Sequence, residues 1–105
     1  MTWVEVLDED ELDDDDMTAA DAGGTTVLLA RVAGTVYAYV DACPHAGTSL
    51  TQDGDLDEDV IVCGGHGWEF DAVTGRCQDP DDHGLTPVQV RVTDGGRIAV
   101  LPPEA

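Results

Sequence analysis

The 105-residue chain contains no lysine, and its four arginines face 23 acidic residues, for a net charge of −19 at pH 7. A surface this poor in cations cannot neutralise a phosphate backbone, so nucleic acid is excluded as a partner. No apolar run approaches the roughly 20 residues that cross a bilayer, and the N-terminus carries no basic, hydrophobic leader. Neither a membrane anchor nor secretion is expected, and a cytoplasmic location is. Cysteine is scarce at three residues, and aromatics make up only 5% of the chain. The length suits one domain with a modest core.

The excess of carboxylates has two candidate origins. An acidic surface steers a protein onto basic patches of its partners, a rate effect that salt weakens. An acidic composition also keeps proteins hydrated in salt-adapted cells, and the abundance of Asp, Ala, Gly and Val fits a composition bias. Most of the charge is read as the latter. The run Asp13–Asp16 is read as a solvated loop.

Short apolar stretches alternate with turn-formers, and no helical period is evident. Strands are expected at Trp3–Leu7, Met17–Ala20, Val27–Val32, Val36–Val40, Val60–Val62, Trp68–Phe70, Val88–Thr93 and Arg97–Leu101. The acidic stretch Asp8–Asp16 has Leu12 as its apolar anchor and reads as a loop with room for one helical turn. Turns are expected at Gly23-Gly24, Ala33-Gly34-Thr35, Asp53-Gly54-Asp55, Val73–Arg76 and Asp94-Gly95-Gly96. The pattern describes an antiparallel all-β domain.

Two motifs carry the chemistry. Cys43-Pro44-His45 is followed, after seventeen intervening residues, by Cys63-Gly64-Gly65-His66. Each offers one thiolate and one imidazole from a run of turn-formers. A structural zinc site could also use two Cys and two His, but zinc fingers group Cys with Cys and His with His. The boxes Cys43-Pro44-His45-Ala46-Gly47-Thr48-Ser49-Leu50 and Cys63-Gly64-Gly65-His66-Gly67-Trp68-Glu69-Phe70-Asp71 resemble the Rieske signature. In that arrangement two His replace two Cys on one iron of a [2Fe-2S] cluster.

The resemblance implies one [2Fe-2S] cofactor, with Cys43 and Cys63 on one iron and His45 and His66 on the other. It implies a β-sandwich base at residues 1–40 and 85–105, with a small cluster-binding subdomain inserted at 41–84. Two ferric irons, two sulfides and two thiolates sum to zero charge, so the oxidised centre accepts an electron readily. With two cysteines given to iron, Cys77 has no disulfide partner and reads as a buried free thiol, in keeping with a reducing compartment.

Respiratory Rieske proteins add a disulfide between the ligand loops, at positions here held by Thr48 and Gly65. They also place Ser and Tyr hydroxyls beside the cluster, where this chain has Trp68 and Phe70. Fewer donors to the sulfurs imply a potential near the low end of the Rieske range, on the order of −150 mV. That suits a carrier between an NAD(P)H flavoprotein reductase and a terminal oxygenase. The segment from His66 to Asp71 and the third loop Asp79-Pro80-Asp81-Asp82 resemble the ferredoxins of toluene (diiron) monooxygenases.

The function expected is one-electron transfer by a monomeric, non-enzymatic component of a multicomponent diiron monooxygenase. Trp68, Pro80 and His83 are candidate partner contacts. The alternatives are the ferredoxin of an aromatic ring-hydroxylating dioxygenase and a regulatory or assembly subunit like the small subunit of nitrite reductase. Trp3 and Tyr37 or Tyr39 are expected to fill the core of the base.

Overall fold

The structure, a computed structural model, describes residues 3–42, 49–62, 69–76 and 84–101. Two antiparallel sheets share these residues. The larger is built from β1 (Val4–Asp8), β2 (Asp16–Ala22), β3 (Thr25–Val32), β4 (Thr35–Val40), β8 (Pro87–Val92) and β9 (Arg97–Leu101), in the order β1-β9-β8-β4-β3-β2. Its two outer strands, β1 and β2, lie against each other, so the sheet wraps around a core of Leu12, Val27, Leu29, Ala38, Ile98 and Val100.

Turn chemistry sets where these strands stop. Between β3 and β4, Ala33 and Gly34 hold left-handed backbone, with φ of +51° and +83°. Two consecutive left-handed residues give a hairpin turn whose twist matches that of its strands. Strand β2 runs past its expected end at Ala20 because Asp21 and Ala22 stay in register with β3 until Gly23-Gly24 turns the chain. The acidic stretch is fastened rather than free. A 3-10 turn at Glu9–Glu11 leads to the buried Leu12, and Arg31 Nη1 donates to the carbonyls of Glu9 (3.2 Å) and Leu12 (2.9 Å). Within the run read as a solvated loop, Asp14 Oδ1 accepts from Gly34 N (2.8 Å) and Asp16 opens β2.

The smaller sheet comprises β5 (Asp55–Asp57), β6 (Val60–Val62) and β7 (Glu69–Asp71), preceded by a single helical turn, α1 (Leu50–Asp53). Leu56, Ile61 and Phe70 are register partners across it and face the protein interior. Asp55, Asp57 and Glu69 point to solvent. The turn expected at Asp53-Gly54-Asp55 is thus the junction of a helix and a strand. Ser49 caps the helix, its hydroxyl accepting from Gln52 N (3.3 Å).

Strand β3 joins the two layers. Val27 and Leu29 face the wrapped core, whereas Leu28 and Ala30 face the small sheet with Leu50, Ile61 and Phe70. All four β3 residues are fully buried, which explains a continuous apolar run where a half-exposed strand would alternate. Tyr39, the register partner of Leu28, shares its side and corrects its expected place: it lies between the two sheets and not in the wrapped core. Trp3 is also not a core residue. It is half-buried, with the Arg91 guanidinium 4.4 Å from its ring centroid.

Candidate metal centre

All three cysteines and all three histidines of the chain lie outside the described residues. This holds for Cys43, His45, Cys63 and His66, and for Cys77, Trp68, Pro80 and His83. What the structure describes is the frame from which those segments leave and to which they return.

Segment 43–48 lies between Asp41-Ala42 and Ser49. The buried Asp41 carboxylate accepts from Ser49 Oγ (2.7 Å), Thr51 Oγ1 (2.7 Å) and Thr51 N (3.0 Å), so the two flanks are tied together. Segment 63–68 is flanked by Val62 and Glu69, direct partners across the β6–β7 pair. Segment 77–83 leaves from Arg76 and returns at Gly84, where Leu85 N donates to Gly75 O (2.7 Å). A Cβ added at Gly84 would sit 2.7 Å from that same carbonyl, so these two strands of chain touch.

Gly54 brings the first two segments to one place. Its N–H closes α1 on Leu50 O (2.9 Å), and a Cβ on it would overlap the carbonyl oxygen of Val62. The helix that follows segment 43–48 therefore rests on the residue that precedes segment 63–68. Each segment carries one thiol and one imidazole donor, and their flanks meet. A donor set of two thiolates and two imidazoles from two segments whose flanks meet fits a Rieske [2Fe-2S] centre.

The chain that follows β7 is anchored to β4 through Tyr39. Its hydroxyl donates to Ala72 O (2.8 Å). Its ring fills the space beside Gly75, where an added Cβ would meet Tyr39 Cε1 at 2.7 Å. Gly75 also needs left-handed backbone, φ +77°, for the turn in which Asp71 Oδ1 accepts from Val73 N and Thr74 N.

Burial, with smaller contributions from the Asp71 carboxylate and from Tyr37, pushes the Tyr39 hydroxyl up to about 12 from its ordinary 10. The folded protein holds this proton more tightly than the unfolded chain. The associated stability is intact below pH 10 and is lost as pH rises through 12, at most about 3 kcal/mol. Urea titrations between pH 9 and 12 should show this alkaline loss. Tyr39→Phe should flatten it, and a variant curve parallel to wild type would contradict the assignment.

Sequence reasoning passed over Asp41, Gly54 and Tyr39 as parts of this frame. One signal was available: Ser49-Leu50-Thr51-Gln52 has the Ser-x-x-Gln form of a helix N-terminus, which would have located α1.

Comparison with known proteins bears on the whole chain. Residues 2–92 match the Rieske [2Fe-2S] domain. The chain is 35% identical over 99 residues to the ferredoxin component of the alkene monooxygenase system of Xanthobacter autotrophicus, covering 93% of this chain and 80% of that one. The solved ferredoxin of carbazole 1,9a-dioxygenase from Nocardioides aromaticivorans superposes with a TM-score of 0.86 at 32% identity, over 98% of this chain and 100% of that one. A chain in the complex of reduced oxygenase and oxidized ferredoxin in carbazole 1,9a-dioxygenase gives 0.82 at 30% identity, over 93% and 91%. With larger proteins the match is partial, spanning only 16% of the Cholesterol 7-desaturase of Caenorhabditis elegans. The chain belongs to the Rieske [2Fe-2S] domain family, and its cofactor is the [2Fe-2S] cluster of that family.

Proposed function

We propose that this protein is the ferredoxin component of an oxygenase system, a one-electron carrier without catalytic activity of its own. It takes electrons from an NAD(P)H-oxidising flavoprotein reductase and delivers them to a terminal oxygenase. The oxygenase assigned is a multicomponent diiron monooxygenase. The observation that carries this reading is the likeness to the alkene monooxygenase ferredoxin over nearly the whole chain. The structural likeness to a carbazole dioxygenase ferredoxin favours the second reading, a dioxygenase partner.

When bound, the cluster accepts and returns a single electron. Cys43 and Cys63 would hold it as thiolates to one iron, and His45 and His66 would hold it as neutral imidazoles to the other. The two neutral donors keep the centre's net charge low, which holds its potential above that of an all-cysteine site. Trp68, Pro80 and His83 are assigned to partner contact. The division into a base (1–40 and 85–105) and a cluster-binding subdomain (41–84) is supported by the placement of β5, β6 and β7 wholly within 41–84. Among the described residues no helix is long and apolar enough to cross a membrane. The carrier is assigned to the cytoplasm, where the scarcity of cysteine suits a reducing compartment, and is taken as a monomer.

Affinity capture of the reduced protein from its native extract, with metal analysis of what is captured, tests the partner. A diiron hydroxylase supports the first reading, and an oxygenase with its own Rieske centre supports the second. The ligand assignment has its own test. His66→Cys adds a thiolate charge to the centre and should lower the reduction potential; an unchanged potential removes His66 from the ligand set.

A further inference from the structure

Among the described residues, Asp41 is the one charged side chain that is buried, at 7% exposure. Its carboxylate does not share an ion pair with the arginines whose pairs are described. Arg31 is paired with Asp14, and Arg97 with Glu5 and Asp8. Its partners are two hydroxyls and one backbone N–H, all from Ser49 and Thr51. Burying a carboxylate among neutral donors carries a desolvation cost that a well-packed apolar residue would avoid. The fold alone gives no reason to keep it.

The connections of Asp41 supply a reason. On one side its N–H donates to Thr26 O (3.0 Å), fixing it to strand β3 of the wrapped sheet. On the other it reaches eight residues along the chain to Ser49, across the segment containing Cys43 and His45. The Ser49 hydroxyl passes the tie on to α1 by accepting from Gln52 N (3.3 Å). Helix α1 ends at Gly54, packed on the carbonyl of Val62, directly before Cys63.

We propose that Asp41 is a positioning residue for the cluster. One continuous link runs from Thr26 through Asp41, Ser49, α1 and Gly54 to Val62, and sets how far apart the two donor-bearing segments are held. The link also places a carboxylate charge at the base of the segment that carries Cys43 and His45. That charge opposes the arrival of an electron and holds the potential down. The inference rests on reading Cys43, His45, Cys63 and His66 as the ligands.

The test compares the reconstituted holoprotein with Asp41→Asn, Asp41→Ala and Thr51→Val. Three quantities are measured: reduction potential, the EPR spectrum of the reduced state, and the rate at which a chelator bleaches the cluster absorbance. Asp41→Asn keeps the shape but removes the charge, and should raise the potential with a small change in bleaching. Thr51→Val keeps the charge but removes one tie, and should accelerate bleaching several-fold at nearly constant potential. Asp41→Ala loses both and should bleach at least tenfold faster, with a shifted EPR spectrum. If Asp41→Ala does not fold, the other two variants decide. Wild-type potential in Asp41→Asn together with wild-type bleaching in Thr51→Val overturns the inference. A wild-type protein that shows no Rieske EPR spectrum overturns the ligand assignment itself, which the variants alone would not do.

Discussion

Truncating Phe70 to alanine is expected to lower the stability of the protein by about 4 kcal/mol. Phe70 is fully buried and is the largest of the fully buried side chains among the described residues. It lies at the centre of β7, opposite Ile61, and belongs to the cluster in which Leu28, Tyr39 and Leu85 also pack. The ring therefore helps join the small sheet to the wrapped one, and the hole left by truncation would be lined by side chains held on both layers. A single domain is stable by only about 5–15 kcal/mol, so this one change removes a large share. Urea denaturation should show a lower midpoint with an unchanged slope. A loss below about 1 kcal/mol would mean that the two sheets do not depend on each other for burial.

Gly54→Ala should cost about 3 kcal/mol for a different reason, at the upper end of overpacking effects. Gly54 has φ −113°, which any residue adopts, so the cost is not one of backbone preference. It is steric: the added methyl would overlap the carbonyl of Val62 and lie 2.7 Å from that of Leu50, and backbone yields less easily than a flexible side chain. The matched control is Gly34→Ala. There φ is +83°, but a Cβ would meet nothing within 4 Å, so only the left-handed backbone is penalised, at about 1 kcal/mol. If the two variants lose equal stability, the close approach of α1 to β6 is not what Gly54 is for. The Gly54 variant should also hold its cluster less well, because the flanks of both donor segments must separate to admit the methyl.

Much of this architecture is legible in the chain. The apolar runs Val27–Val32 and Val36–Val40 mark strands, and the paired Cys and His motifs mark the cofactor. The elements that escaped have identifiable physical reasons. Helix α1 is four residues long, less than the span over which a 3.6-residue period can be recognised. Strand β5 is Asp-Leu-Asp, which by composition reads as a turn, and is a strand only because Leu56 pairs with Ile61 over the core. The roles of Tyr39 and Gly54 depend on contacts with Ala72 and Val62, residues distant in sequence that local pattern cannot bring together. Trp3 reads as core by residue type, but a cation above its ring lets it stay half-exposed at the edge of the wrapped sheet.

The double-sided burial of β3 has a consequence for how such proteins diversify. Along Val27–Ala30, neighbouring positions report to different cores, odd numbers to one and even numbers to the other. Substitutions at Val27 and Leu29 fall on the wrapped core and leave the seat of the small sheet uncontacted. Leu28 and Ala30, with Tyr37 and Tyr39 beside them, form a socket whose shape the small sheet has to match. The small sheet is thus seated on a socket that Met17, Val32 and Leu85 complete, while the wrapped core lies on the opposite side of β3.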